Sequence, residues 1–487
     1  MTSRELIAGA VIAVPAFTTV LLAIAPARLV AGLARAAALP TAALAVALTA
    51  LALSRPGAPI TGEWFAIDVA GGLLVGVIGV VGLASVLVSP AYLAAAGGSL
   101  VSAERRPRAY YASLFAFWAI LLAVPLAGNL GIAWLLVEAT TAASALLVGF
   151  SGKARALEAG WKYLVLTSLG LGVALLGIVI LAAGIPAGGL TELSWQALPT
   201  YAGGDEAALV AYLLLIAGLA AKVGWAPVHN WLPDAHSEAP PPVSALLSAA
   251  LLPAVLLVAW RSQQALAPVV GEGTARGVLL GFGLASLAVA VPFLWRSLPW
   301  KRLLAYSSLE HMGVIALGIG FGTPLALAGV AIHIAGHAVA KALGFYAATP
   351  LVSHDPLAGE HAVTGIGRSK PALGATMGVS LGALSGLPPS PLFVSEVLIV
   401  AGGVQAGRPW EAAATALLLA LGFLGLAHAL IETTAGDSPP REHGVVAGLR
   451  GLTALTGISI VLLLGLAAAA VVLPGSDLVD ALARGLS

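Results

Sequence analysis

Residues 207–236 read AALVAYLLLIAGLAAKVGWAPVHNWLPDAH. The run is longer than the ~20 residues with which a helix crosses a hydrocarbon core of ~30 Å. Lys222, Gly224 and Pro227 lie in its second half. Proline removes a backbone donor and clashes with the preceding turn, so the helix is expected to break near mid-membrane. Irregular backbone at that depth persists only against protein or a water-filled cavity. This segment points to an integral membrane protein with a polar interior.

Composition agrees. Of 487 residues, 59% are hydrophobic and 9% charged, where a soluble domain carries ~25% charged residues. Lys plus Arg is 23, Asp plus Glu 22 and the formal net charge +1. That balance lacks the basic face required for nucleic-acid binding. With no cysteine in the chain, disulfides, cysteine-ligated iron–sulfur clusters and thiolate catalysis are excluded from it. No cofactor is expected in this chain; redox cofactors are expected on partner subunits.

Apolar runs between charged or Pro/Gly-rich breaks give about fourteen spans. Their cores are 6–26, 36–54, 68–89, 109–127, 130–150, 160–183, 207–236, 243–260, 277–295, 303–322, 325–350, 371–405, 411–431 and 450–473. All are read as helices, because an open strand in lipid leaves backbone groups unpaired. Arg4 and the small residues Ala23, Ala25 and Ala27 give the first span a likeness to a secretory signal. Its apolar run is long for one, and it is read as retained.

Loop cations concentrate on one side, among them Arg28, Arg35, Arg105, Arg106, Arg108, Arg155, Lys162, Lys301, Arg302, Arg441 and Arg450. The other side holds Arg4, Arg55, Arg261, Arg276, Arg408 and Arg484. The positive-inside rule makes the first side cytoplasmic and places both termini outside a cell inner (plasma) membrane.

The twelfth span, 371–405, is interrupted like the seventh, at Gly386, Pro388, Pro389 and Pro391. Interrupted spans in corresponding positions are a mark of inverted-repeat transporters. The expected organisation is three N-terminal helices (1–108), two inverted five-helix repeats (109–260 and 261–433) and a C-terminal helix with a short tail (434–487).

Ionisable residues inside spans are costly and therefore informative. Glu138 lies in LLVEATTAASALLVGF, Lys222 in the broken seventh span, and His333, His337 and Lys341 in IHIAGHAVAKALGFYAAT. Glu396 follows the second break in LSGLPPSPLFVSEVLIV. Spread along the chain, they suit a proton path better than a clustered substrate pocket. Glu138 and Lys222 fit either an ion pair that fixes helix packing or two coupled proton-binding groups. Buried pairs often stabilise little, which favours the second reading.

His333, His337 and Lys341 recur at i, i+4 and i+8 and share a face. The histidines fit structural capping or, preferably, proton relay near neutrality. An HxxxH pair can clamp a metal, but a lysine beside it repels a cation, so no metal is expected. His229, Asp234, His236 and Glu238 are read as proton uptake or gating groups in the cytoplasmic half of the seventh span, or as caps of a re-entrant turn. Glu310 and His311, in KRLLAYSSLEHMG, join that gating set or sit at the interface. His428 and Glu432 form an i, i+4 pair near a helix end, where a solvated role is expected.

KVGWAPVHNWLPDAHSEAPPPVSALLS, LAYSSLEHMG and the LPP…FVSE segment together resemble the antiporter-like proton-pumping subunits of the complex I superfamily. That superfamily also holds Mrp-type sodium/proton antiporter subunits and the membrane arms of group 4 hydrogenases. VEATTAASALLVGF and SSLEHMG look most like the F subunit of hydrogenase 4. The resemblance implies proton-carrying roles for Glu138, Lys222, the eleventh-span His and Lys residues, and Glu396. It also implies membrane and peripheral partner subunits in a redox complex. Many relatives carry a lysine or histidine in the eighth span, where SALLSAALLPAVLLVAW offers Pro253 and nothing titratable. Water or His333 is expected to cover that gap.

The expected function is proton translocation in a redox-driven complex. A proton would be taken up near the seventh span, held at Lys222, passed along His333, His337 and Lys341, and released by way of Glu396. Sodium/proton exchange, a membrane partner of inorganic-carbon uptake and a scaffold whose relay has decayed are the alternatives.

Overall fold

Lys222, at the end of one helix, and Glu396, early in another, face breaks that interrupt two of the spans. The computed structural model describes residues 3–57, 59–61, 64–96, 101–102, 104–185, 193–351, 363–436 and 449–486. Arg441 and the side chain of Arg450, counted above with the loop cations, lie outside that description.

Among the described residues thirteen helices are long and apolar enough to cross a membrane. In order they are Arg4–Ile24, Ala27–Ser54, Val69–Ala95, Arg106–Leu126, Leu130–Ser151, Ala154–Gly184, Asp205–Val223, Pro241–Val270, Glu272–Leu294, Trp300–Phe321, Pro324–Leu351, Pro409–Ala435 and Gly451–Gly475. Two shorter apolar helices, Pro371–Leu384 and Pro391–Gln405, share the place of the twelfth span. The chain is an all-α integral membrane protein with both expected breaks. A two-residue antiparallel pair, Ile60–Thr61 with Ala66–Ile67, is a small addition between the second and third spans.

Several helices start or end beyond the apolar cores. Arg28, Arg35, Arg155 and Lys162 therefore lie on helices and not in loops, because long cationic side chains reach out of an apolar helix end toward water. Arg261 departs further from expectation. It is buried within the eighth span, pairs with Asp68 at 2.7 Å and donates to Pro125 O at 2.9 Å. Asp68 also caps the third span by accepting from Gly71 N at 2.7 Å. A polar partner on a neighbouring helix end outweighed the pull of solvent.

Small residues let helices meet closely. A Cβ at Gly218 of the seventh span would stand 2.5 Å from Gly170 O of the sixth, so only glycine permits that contact. The most apolar window of the eighth span and that of the tenth are buried along their whole length, while the first and fourteenth expose most of theirs. Glu310 and His311, on the tenth span, are thereby enclosed within the protein.

Within the eighth span the stretch Leu247–Leu251 is a π-helix, followed by Pro253. Such a bulge loosens the ladder just where the proline supplies no donor.

Candidate functional site

The seventh span ends at Val223, one residue after Lys222. Gly224 turns with φ 81°, a left-handed conformation open to glycine. After a cis Ala226–Pro227 bond the chain resumes as the short helix Leu232–Glu238.

Lys222 is buried and donates to Thr141 Oγ1 at 2.7 Å and to the Tyr163 hydroxyl. Tyr163 OH also meets Ser144 Oγ at 2.7 Å, and the ammonium lies 4.4 Å from the Tyr163 ring centroid. Ring face and hydroxyls together stabilise a buried cation. Sequence reading passed over these three partners; the polar i, i+3 spacing of Thr141 and Ser144 was the available signal.

Glu138 and Lys222 form no ion pair within 4 Å, which goes against the packing alternative. Glu138 is half-buried and accepts from Ser168 Oγ at 2.6 Å, while its other oxygen has no partner among the described residues. It remains within Coulombic reach of Lys222. Thr141 stands one turn further along the same helix and takes the position next to the ammonium.

His236, placed from sequence in the cytoplasmic half of the seventh span or at its mouth, is fully buried. In Leu232–Glu238 the residues Leu232, Ala235 and His236 face inward, whereas Asp234, Ser237 and Glu238 are half-exposed. That i, i+3, i+4 pattern turns the imidazole toward the core. Asp234 instead reaches Lys162 at 3.4 Å and Arg302 at 3.2 Å, anchoring the short helix. Glu238 lies within Coulombic reach of Lys301, which donates to Ala239 O at 2.6 Å. His229 is half-buried with an unpartnered Nδ1.

From Tyr163 the path to His236 crosses Trp231, with centroid distances of 4.7 Å and then 6.4 Å. Among the described residues neither ring nitrogen of His236 has a hydrogen-bond partner, and the ring lies within Coulombic reach of Lys341 and His337. Such atoms are what buried water satisfies. His236, not His333, therefore stands between the two lysines.

Lys341 donates to Leu304 O at 2.6 Å and Ser307 Oγ at 2.5 Å. Ser308 Oγ shares the Leu304 carbonyl at 2.9 Å and meets Ser248 Oγ of the π-helix at 2.7 Å. His337 has no partner on either nitrogen, and its ring lies 5.2 Å from that of His311. His311 Nδ1 is 3.0 Å from His333 Nε2. Glu396, half-buried, has a carboxylate oxygen within 4.8 Å of a ring nitrogen of each of these two histidines.

The order along the eleventh span is thus Lys341, His337, His333, the reverse of the expected passage. His333 and Lys341 are eight residues, or about 12 Å, apart along the helix axis, so one lies near each break. The interfacial alternative for Glu310 and His311 does not hold. Both are buried, because the tenth span is enclosed by its neighbours. Glu310 packs against Gly422 of the thirteenth span, where no Cβ would fit, and its Oε2 is unpartnered. His428 and Glu432 pair at 3.3 Å and are exposed, as expected.

An enclosed line of acids and bases running between two helix breaks is the interior arrangement of an antiporter-like membrane fold. Residues 127–422, which include every group just described apart from the exposed pair, match the NADH:quinone oxidoreductase/Mrp antiporter transmembrane family, and the chain belongs to it. It is similar to the hydrogenase-4 component F homolog of Methylacidiphilum infernorum, with 34% identity over 321 residues, 64% of this chain and 67% of that protein. Other curated relatives are matched over 45% to 66% of their own length.

Among solved structures, a chain of the archaeal membrane-bound sulfane sulfur reductase superposes with TM-score 0.84 at 21% identity, covering 99% of this chain and 100% of that one. A chain of the Mrp complex from Dietzia sp. gives 0.82 at 20%, covering 100% and 98%. These two share the fold.

Proposed function

We propose that this antiporter-like chain carries protons across a membrane as one subunit of a larger redox-driven complex. The observation that carries this reading is the series of buried Lys222, His236, Lys341, His337, His311 and His333, with half-buried Glu396 at its end. Each ionisable group in a membrane interior costs a few kcal/mol. None of these seven forms an ion pair within 4 Å among the described residues, so the series is a poor device for holding helices together.

In the proposed passage a proton resides on the Lys222 amine, held by Thr141 and Tyr163 and favoured by the Glu138 charge. His236 takes it over and delivers it toward Lys341 and His337. His311 and His333, in direct contact, hand it to the twelfth-span break, where Glu396 releases it. Buried water completes the step past Trp231.

The plasma membrane is the proposed location, with both termini outside, a sidedness supported by the loop cations. Redox cofactors belong to partner subunits in this reading. The names of the similar solved structures, a respiratory membrane complex and an Mrp complex, support assembly with other membrane subunits.

The test is proton pumping by the intact complex in sealed vesicles. Lys222→Ala and Glu396→Ala are each expected to lower pumping per redox turnover by about 10²-fold or more, the scale of a lost proton-transfer group. Unchanged pumping in both variants would refute the relay.

A further inference from the structure

Three donor groups from three helices converge beside the twelfth-span break. One ring nitrogen each of His311 and His333 and a carboxylate oxygen of Glu396 all lie within 4.8 Å of one another. His311 Nδ1 and His333 Nε2 are 3.0 Å apart. Ser395 spends its hydrogen on Leu392 O at 2.8 Å, so its Oγ accepts from His333 Nδ1 at 2.9 Å. The His333 proton is thereby placed on Nδ1, and the Nε2 lone pair points toward His311. A metal-ligating imidazole carries just such an outer hydrogen bond, which fixes its tautomer and ring orientation. The Nε2 of His311 has no partner, so that ring can keep its hydrogen there and present Nδ1 as a second lone pair.

We propose that His311, His333 and Glu396 form a binding site for a divalent transition-metal ion of the zinc type, with the fourth position left to water. Two neutral imidazoles and one carboxylate are a three-ligand zinc set. Magnesium and calcium prefer oxygen shells and fit this set poorly, whereas copper(II), cobalt(II) and nickel(II) compete with zinc for it.

The charge environment is mixed but tolerable. Glu310 lies within Coulombic reach of Glu396 and adds a second acid. Lys341 opposes a cation, but its ammonium is committed to Ser307 and the Leu304 carbonyl. The HxxxH pair within the eleventh span is not the clamp. His333 finds its partner on the tenth span, and His337 stays outside the three-donor set. A Cβ at Gly386 would come 2.8 Å from Glu396 Oε2, and Leu387, Pro388 and Pro389 beside it are exposed.

Binding depends on donor geometry alone and is separable from proton translocation. An ion on the His333 lone pair would also stop that imidazole from accepting a proton, a consequence that rests on the proposed function.

The experiment uses the full chain in mild detergent, without a polyhistidine tag and stripped by chelator. A His428→Ala background removes the exposed His428–Glu432 pair. Zinc is titrated against a competing chelator. His311→Ala, His333→Ala and Glu396→Gln are each expected to lose one equivalent of bound zinc, while His337→Ala keeps it. Ser395→Ala leaves all three donors in place and is expected to weaken that equivalent by about 10-fold or more, as lost outer-shell partners do. X-ray absorption on the unsubstituted site is expected to show two imidazoles at about 2.0–2.1 Å; this reading does not depend on any variant folding. Zinc binding that is absent, or undiminished in His311→Ala and His333→Ala, overturns the proposal.

Discussion

The imidazole of His236 stacks on the ring of Phe345 with centroids 5.5 Å apart and planes 23° apart. A residue from the broken seventh span is thereby held against the eleventh. The contact joins the Lys222 pocket to the Lys341 cluster across the eighth span, whose stretch 244–260 offers Ser248 and Pro253 but no titratable side chain.

His236→Gln keeps the size and polarity of the side chain but abolishes its titration. Pumping in sealed vesicles is expected to fall by about 10²-fold, a scale typical of a lost proton-transfer group, with assembly of the complex unchanged. A parental rate would mean that the two lysines communicate by another route.

Tyr163→Phe leaves the buried Lys222 ammonium with Thr141 as its remaining hydroxyl partner. An under-satisfied buried group costs about 1–3 kcal/mol, so the melting temperature in detergent should drop. Tyr212→Phe is the comparison: it removes a hydroxyl that donates to Ala275 O, away from either lysine. Its pumping rate should stay near parental, while that of Tyr163→Phe declines.

Arg261→Ala breaks a buried pair and leaves Asp68 as an uncompensated charge, at a cost of about 3–5 kcal/mol. The double variant Arg261→Met with Asp68→Asn should recover most of that loss, because Asn retains the helix cap to Gly71. Thermal unfolding of the three proteins checks the order. If the single variant is as stable as the parent, the pair contributes nothing.

Gly386→Ala forces a Cβ into a left-handed residue with φ 74° and against Glu396 Oε2. The backbone strain costs about 1–2 kcal/mol, and the displaced carboxylate should impair pumping. Gly382→Ala, whose Cβ would meet nothing nearer than 4.0 Å, is expected to be silent in both respects. Equal behaviour of the two variants would remove Gly386 from any part in positioning Glu396.

Exchange of sodium for potassium is expected to leave redox-coupled proton movement unchanged. Proton uptake that requires sodium would instead assign sodium/proton exchange to the chain.

Lys222, His333, Lys341 and Glu396 stand out in the amino-acid sequence because an ionisable group in an apolar run is costly and rarely accidental. Both helix breaks are equally legible, since glycine and proline limit the backbone at Gly224, Pro227, Gly386, Pro388 and Pro389 whatever surrounds them. Tyr163, Ser307 and Ser395 are not legible, and Thr141 and Ser144 leave only the trace of their i, i+3 spacing. A hydroxyl in a helix can satisfy itself on its own backbone, as Ser144 does on Thr140 O at 2.5 Å, so its presence signals nothing by itself.

The direction in which each broken helix resumes also left no local mark. The full burial of His236 could not be told from its neighbours in the chain, and Arg261 was placed in water and lies against Asp68. Periodicity and cost per residue are properties of short stretches of chain, and they sufficed for the class of protein, the number of spans and the places where two of them break. Which imidazole meets which depends on contacts between residues far apart in the chain, such as the 3.0 Å approach of His311 to His333. Helix packing alone sets such distances, and so the order of the groups along the interior became known only from the folded arrangement.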